Sequence, residues 1–497
     1  MQNTVKQYKA ILAKRNALSH AMGVLSYDSE TAMPKNGAPH MAETMAILSE
    51  ESYKLQVNDE VRGLLNKLNA NSESLDEITR REVEEELKQL KKLENVPIEE
   101  YAAYSRLISE ASVKWREAKQ TNDYPLFKPY LERIIAAQKS LMAHMYPGKD
   151  TYDALLEEFS EGLSVEMLDP FFANVKAKLV PVIHAVCQSG NQADDSLLHR
   201  PFPIEGQRRL SSFVMDFLGI DRDSCVIGEV EHPFTTEFNK HDVRLTTHYH
   251  EDDVLSNMFS VAHEGGHCLY ELNIGDELIG SPLSGGATMT LHESQSRLFE
   301  NMICRSREFI ALLYPKMKEI FPEQMQGVSE EMLYRAANKS MPSLIRTEAD
   351  ELTYPLHIMV RYEIEKKLIA GTLSVDELPA EWNRLYKEYL GVDVPDDTHG
   401  VLQDSHSGGM IGYFPSYCVG SAYSAQIYHN ISKDMDIGKI VAAGGVKPIV
   451  EWLTARLYRF GRLKPTAELT RNVLCGEFDP TYYTDYLTAK FRELYKL

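Results

Sequence analysis

Apolar residues recur three and four positions apart through most of the first two hundred residues, the spacing of helices that pack through one face. Val5, Tyr8, Ile11 and Leu12 open the first helix, and the pattern continues over 59–68, 75–93, 98–119 and 124–145. Breaks fall at 34–37, 96–97 and 147–148, where proline and glycine interrupt the period. The Glu- and Lys-rich run 84–92 reads as a solvated helix face laced by pairs four apart. This part of the chain predicts a helical wall or lid with no evident catalytic chemistry.

The period changes from helical to two between Cys225 and His250. Segments 225–230 and 242–247 are β-rich and alternate, with His232-Pro233-Phe234-Thr235-Thr236 as the separator between them. They predict a small sheet, and an edge strand along a groove can grip the backbone of an extended peptide. A helical stripe then returns in Val254, Met258, Val261 and Leu269, with Asp252 and Asp253 available as caps.

Inside that helix stands His263-Glu264-Gly265-Gly266-His267. Residues four apart share a helix face, so His263 and His267 can hold one ion, and Glu264 can polarise a water beside it. Two imidazoles, a carboxylate base and an open position for water are the parts of a zinc-dependent peptidase. The glycine pair costs about 2 kcal/mol relative to alanine. Packing must therefore hold this helix, and the missing side chains admit a close neighbour. Cys268 falls on another face and is set aside as a ligand.

A third ligand is required. Tyr270 and Asn273 stand where a metzincin needs glycine and histidine. Glu271 is about 12 Å along the helix from His263, too far to share an ion. The best candidate is Glu293, on a second helix that Thr288 can cap, 26 residues after His267 and so able to return antiparallel. Glu300, two turns on, reads as an ordinary surface carboxylate.

Composition bounds the rest. The 497 residues, 43% hydrophobic and 25% charged, can bury a substantial core and show no linker, repeat or low-complexity run. The expected organisation is one mainly α body spanning 1–497, with 1–220 as wall or lid, 221–430 carrying the metal site, and two lobes flanking a deep substrate groove. A net charge of −20 argues against nucleic acid and anionic membrane as partners. The start of the chain lacks the pattern of a secretory signal, and no apolar run reaches spanning length. Six scattered cysteines without a C-x-x-C read as free thiols of a cytoplasmic protein.

Six stretches occur in order: His232-Pro-Phe234, Asp242-x-Arg244-x-Thr246, His263-Glu-Gly-Gly-His267, His292-Glu-Ser-Gln-Ser-Arg297, Ile345-Arg-Thr-Glu-Ala-Asp350 and Gly400-Val-Leu-Gln-Asp-Ser-His406. Together they resemble the motif set of the Taq-type zinc metallocarboxypeptidases, along essentially the whole chain. Three positions depart from that family's pattern: Tyr27 where tryptophan is usual, Ser407 where tryptophan follows the last motif histidine, and Tyr458-Arg459 near a usual histidine. The Ser407 change, beside the site, bears on substrate preference.

The resemblance implies a helical gluzincin-type enzyme, commonly a homodimer. It implies removal of single residues from peptides that have a free C-terminal carboxylate, with zinc, for which cobalt can substitute. His263, His267 and Glu293 are the expected metal ligands and Glu264 the base, with His406 and Tyr413 steadying the oxyanion. Tyr417 and Tyr423 are expected to be packed aromatics. A substrate carboxylate calls for arginine, and Arg346 is preferred over Arg244; Glu348 or Asp350, and Asp242, are their alternative internal partners. His232 and Gln403 are further substrate-orienting candidates. Asp350 and Asp404 are candidate acceptors for the metal-binding imidazoles. The rival readings are a zinc oligoendopeptidase on the same scaffold and a peptide-binding scaffold with a dead site.

Overall fold

The computed structural model describes residues 1–404 and 408–497, so His406 and Ser407 lie outside the described residues. The chain is mainly helical, 68% helix and 3% strand. The first half runs α1 (Gln2–Thr31), α2 (Ala38–Gln56), α3 (Asp59–Asn69), α4 (Glu77–Glu94), α5 (Ile98–Thr121), α6 (Tyr124–Met145), α7 (Thr151–Phe159), α8 (Val165–Gln188) and α9 (Ile204–Leu218). After the sheet come α10 (Val254–Leu272), α11 (Met289–Arg297), α12 (Arg307–Ile320), α13 (Glu330–Ala337), α14 (Tyr354–Ala370), α15 (Leu378–Leu390) and α16 (Phe414–Asp434). The last helices are α17 (Ile437–Ala442), α18 (Lys447–Arg456), α19 (Thr466–Leu474) and α20 (Thr481–Tyr495). Among the described residues no helix is long and apolar enough to cross a membrane.

Two interiors form. The larger runs from α5 to α20, built around such residues as Phe127, Leu179, Val261, Leu291, Val419 and Leu487. A smaller one joins α1, α3 and α4 through Tyr8, Leu12, Val61, Leu65, Leu68, Val83 and Leu90. Two buried carboxylates of α4 close that small interior: Glu82 accepts from Lys9 Nζ, and Glu86 from Arg15 at 2.7 Å. The opposite side of α4 is not simply solvated. Lys92 reaches Glu158 of α7 at 2.8 Å and Lys88 reaches Glu161 at 3.2 Å. These long side chains span to another element because the groove brings that element within their reach.

The sheet has three strands, not two, in the order β1 (Cys225–Glu229), β3 (Asp242–Thr247), β2 (Thr235–Asn239). Cys225 lies opposite Val243 in a parallel pair, and Thr235 lies opposite Leu245 in an antiparallel one. The separator segment thus contains an edge strand whose outer side carries no further strand among the described residues. Asp253 caps α10 by accepting from the Ser256 amide, and Thr288 caps α11 by accepting from the Leu291 amide.

Two glycines set the spacing of the central helices. A Cβ on Gly266 would meet Ser296 Cα at 2.6 Å and Gln295 O at 2.7 Å, so α10 and α11 touch backbone to backbone there. A Cβ on Gly420 of α16 would meet Glu293 Cβ at 2.8 Å. Glu293 is held from both sides by helices that glycine lets come close.

Candidate active site

The pairing of α10 with α11 is antiparallel: His267 meets His292, while His263, one turn earlier, meets Glu300. Glu293 falls between them. Its Oε2 lies 3.7 Å from His263 Nε2 and 3.7 Å from His267 Nε2. Among the described residues this is the one group of three such side chains whose ligand atoms all lie within 4.8 Å of one another. Ligands on a tetrahedral zinc at ordinary bond lengths stand roughly 3.4 Å apart, so the set fits the ion with little movement.

The remaining atoms of the three side chains are already committed. Glu293 Oε1 accepts from Arg297 Nε at 2.6 Å, while Oε2, which also accepts from Ser296 Oγ at 3.2 Å, is the oxygen nearest the two imidazoles. His263 Nδ1 meets Glu300 Oε2 at 2.9 Å, and His267 Nδ1 meets His292 Nδ1, whose Nε2 meets Glu271 Oε1 at 2.7 Å. With Nδ1–H donating in each ligand histidine, both Nε2 atoms present a lone pair inward. Burial, reinforced by His292 and His263, pushes His267 well below the usual imidazole range, which favours its neutral form.

Glu300 is therefore not a surface carboxylate. It is buried and sits in a π-helical stretch (Leu298–Ile303) that continues α11. Burial raises its carboxyl, but the His263 hydrogen bond and the Arg297 and Arg305 guanidinium groups outweigh this and keep it ionised. The expected acceptors lie elsewhere. Asp350 accepts from the amides of Met341, Leu352 and Thr353, closing its own turn. Asp404 accepts from Arg346 Nε at 3.1 Å and Arg361 Nε at 2.7 Å. Glu300 and His292, close in sequence to Glu293, fill the supporting role instead.

Glu264 is buried beside His263, and Thr235 Oγ1 of β2 lies 2.7 Å from its Oε2. Burial raises the Glu264 carboxyl, against the pull of His263 and the Thr235 hydrogen bond. A groove of about 670 Å³ opens over these groups. Its floor includes His263, Glu264, His267 and Glu293, with Thr235 and Glu237 of β2 along one side. Glu85, Lys88, Gln89 and Lys92 of α4 and Arg462 also line the groove.

The other candidates divide. Tyr413 and Tyr417 both line the groove, with ring centroids 5.0 Å apart, so Tyr417 is not merely packed behind it. Tyr423 is buried against Phe478, as a core aromatic. Arg244 turns away from the groove: Asp242 binds its Nε and NH2 at 2.9 and 3.0 Å, and it stacks on Tyr27 and Phe238. A strand residue two positions from its own partner carboxylate forms this pair locally, and Arg244 is not among the residues that line the groove.

Arg346 is buried, and its partner is Asp404, neither Glu348 nor Asp350; it stands 5.5 Å from the Tyr417 ring, one aromatic layer behind the groove. Gln403 accepts from the Arg346 amide and from Arg361 NH2, so it braces the same network. His232 is exposed and outside the groove lining, whereas Pro233 and Phe234 are within it. Cys268 points behind the helix, 3.9 Å from Cys225 Sγ.

Asp404 is clamped by Arg346 and Arg361, and Gly409 O accepts from Gln138 Nε2 at 2.9 Å. Gly412 N donates to Glu365 Oε2 at 2.9 Å, and Tyr152 OH donates to the same oxygen. Tyr413 follows directly.

The family model for the carboxypeptidase Taq (M32) metallopeptidases matches residues 7–491. The chain belongs to the M32 metallocarboxypeptidase family. It is 39% identical to carboxypeptidase 1 of Bacillus subtilis, across 99% of both chains. It is 33% identical to thermostable carboxypeptidase 1 of Pyrococcus furiosus, across 98% of both. Among solved structures, the M32 carboxypeptidase from Deinococcus radiodurans superposes with a TM-score of 0.96 at 32% identity, covering 100% of each chain. Membership in M32 makes the protein a peptide hydrolase that works with a divalent metal.

Proposed function

We propose that this M32 enzyme uses zinc to release single C-terminal residues from peptides, with Glu264 as its base. The observation that carries the reading is the convergence of two Nε2 atoms on Glu293 Oε2 with the buried Glu264 alongside. His263 and His267 would hold the ion through Nε2, and Glu293 through Oε2. Zinc there supplies a Lewis acid that lowers the pKa of water and polarises the scissile carbonyl. Glu264 takes the proton of the attacking water and delivers it to the leaving nitrogen. Tyr413 donates its hydroxyl to the oxygen that gains charge, a role shared with His406.

The extended substrate pairs with the free edge of β2. Of the two arginines proposed for the terminal carboxylate, Arg346 is preferred, since one aromatic ring separates it from the groove that Arg462 lines directly.

Mass spectrometry of a free-acid peptide and its C-terminal amide, with and without chelator, tests the reading. The free acid should shorten one residue at a time, the amide should persist, and the chelator should stop the ladder. Internal cleavage of the amide would establish an endopeptidase instead. Glu264→Gln should keep stoichiometric zinc and lose hydrolysis; full activity in that variant removes the base from Glu264.

A further inference from the structure

Thr235 is the first residue of the edge strand, and it touches the groups on which the chemistry turns. Its Oγ1 lies 2.7 Å from Glu264 Oε2 and 3.1 Å from the Glu264 backbone oxygen. A hydroxyl has one proton to donate and lone pairs to accept with. It cannot donate to both Glu264 oxygens at once, and the shorter contact is the one to Oε2.

We propose that Thr235 is a positioning residue for the base, holding Glu264 in one place in both of its protonation states. While the carboxylate is ionised, the hydroxyl donates to Oε2. When Glu264 holds the proton taken from water, that proton sits on Oε1, the oxygen Thr235 does not occupy, and the hydroxyl goes on donating to Oε2. When Glu264 gives that proton to the leaving nitrogen, it leaves from the same Oε1, so the hydrogen bond that holds the side chain is undisturbed. No proton is gained or lost by Thr235, and no bond to it forms or breaks.

The position follows from the fold. Thr235 pairs with Leu245 of β3, so the central strand fixes its backbone. Its other side is the free edge that lines the groove. Without the hydroxyl, burial would leave the Glu264 carboxylate with no hydroxyl donor on the β2 side and free to swing. A displacement of about 1 Å at a reacting group can cost roughly a hundredfold in rate.

The inference rests on Glu264 being the base, and the experiment separates the two. Thr235→Val keeps the branched shape and removes the hydroxyl; Thr235→Ser keeps the hydroxyl and removes the methyl. Both are compared with Glu264→Gln for zinc content, circular dichroism, kcat and KM on one short free-acid peptide. Thr235→Val should bind stoichiometric zinc and lose kcat by about 10- to 100-fold with KM within twofold. Thr235→Ser should recover to within about threefold of the parent.

Full kcat in Thr235→Val beside an inactive Glu264→Gln overturns the positioning role and leaves the base intact. An active Glu264→Gln overturns both. Should Thr235→Val fail to fold, Thr235→Ser decides alone: kcat as low as the loss forecast for valine would make the methyl, not the hydroxyl, the important part.

Discussion

At the scale of single residues, the proposed metal ligands owe their orientation to partners outside the ligand set. Glu300 holds His263 by Nδ1 and is itself bracketed by Arg297 and Arg305. Replacing it with glutamine preserves the shape and removes the charge that keeps the imidazole aligned. Glu300→Gln should weaken zinc binding by about 10- to 100-fold, read by competition with a chelating dye. Unchanged affinity would mean that the α10–α11 packing alone sets the imidazole. His263, Glu264 and His267 stand together by helical spacing alone, legible in the sequence, whereas Glu293 reaches them only through the packing of α11 on α10. Glu300 was misread, although seven residues past Glu293 returns it to the same helix face; an antiparallel partner then carries that face back toward His263. Asp350 and Asp404 lie close to motif residues in sequence, but each is consumed by its own turn or arginine pair.

At the scale of elements, the site depends on how closely α10, α11 and α16 approach. Two adjacent glycines give a sharp contrast. A Cβ on Gly266 would press on the backbone of α11, while one on Gly265 would meet only the end of the Leu218 side chain. Gly266→Ala should therefore lower stability by about 1–3 kcal/mol and loosen zinc, since a helix must move to make room. Gly265→Ala should be milder in both thermal unfolding and retained zinc; equal losses would show that helix propensity, not approach distance, governs this pair. The outer helices that bury one stripe, such as α3, α4 and α9, are readable from that period. β2 was not readable: its five residues are half-buried or exposed throughout, with none of the alternation that betrays a strand. Its location beside Glu264 came only from pairing with β3.

At the scale of the molecule, one buried acid ties separate parts together. Glu365 of α14 joins Tyr152 of α7 to the Gly412 amide, and burial pushes its carboxyl from 4.5 up to about 8. The folded state then holds a proton that the unfolded chain releases above pH 4.5, so the contribution of Glu365 to stability falls as pH rises from 4.5 to about 8 and is constant outside that window. Glu365→Gln cannot ionise. Its melting temperature should gain on the parent's progressively across that window, by an amount worth a few kcal/mol in all. A constant offset across the same pH range would mean the acid ionises freely in place. The overall helical architecture was legible from the period of the chain; this coupling was not, because Glu365 reads as one more polar position on α14.

The private interior shared by α1, α3 and α4 has a consequence for breathing motions. A unit that keeps its own apolar centre can part from its neighbours as a whole, without first melting. Besides the packing of α4 on α6 and of α1 on β2, its ties to the larger body include ion pairs to Glu158 of α7 and to Glu161 just past it, of the kind that dissolved salt weakens. Such a unit can come loose at modest cost, while the histidine helix stays folded in a different and much larger interior.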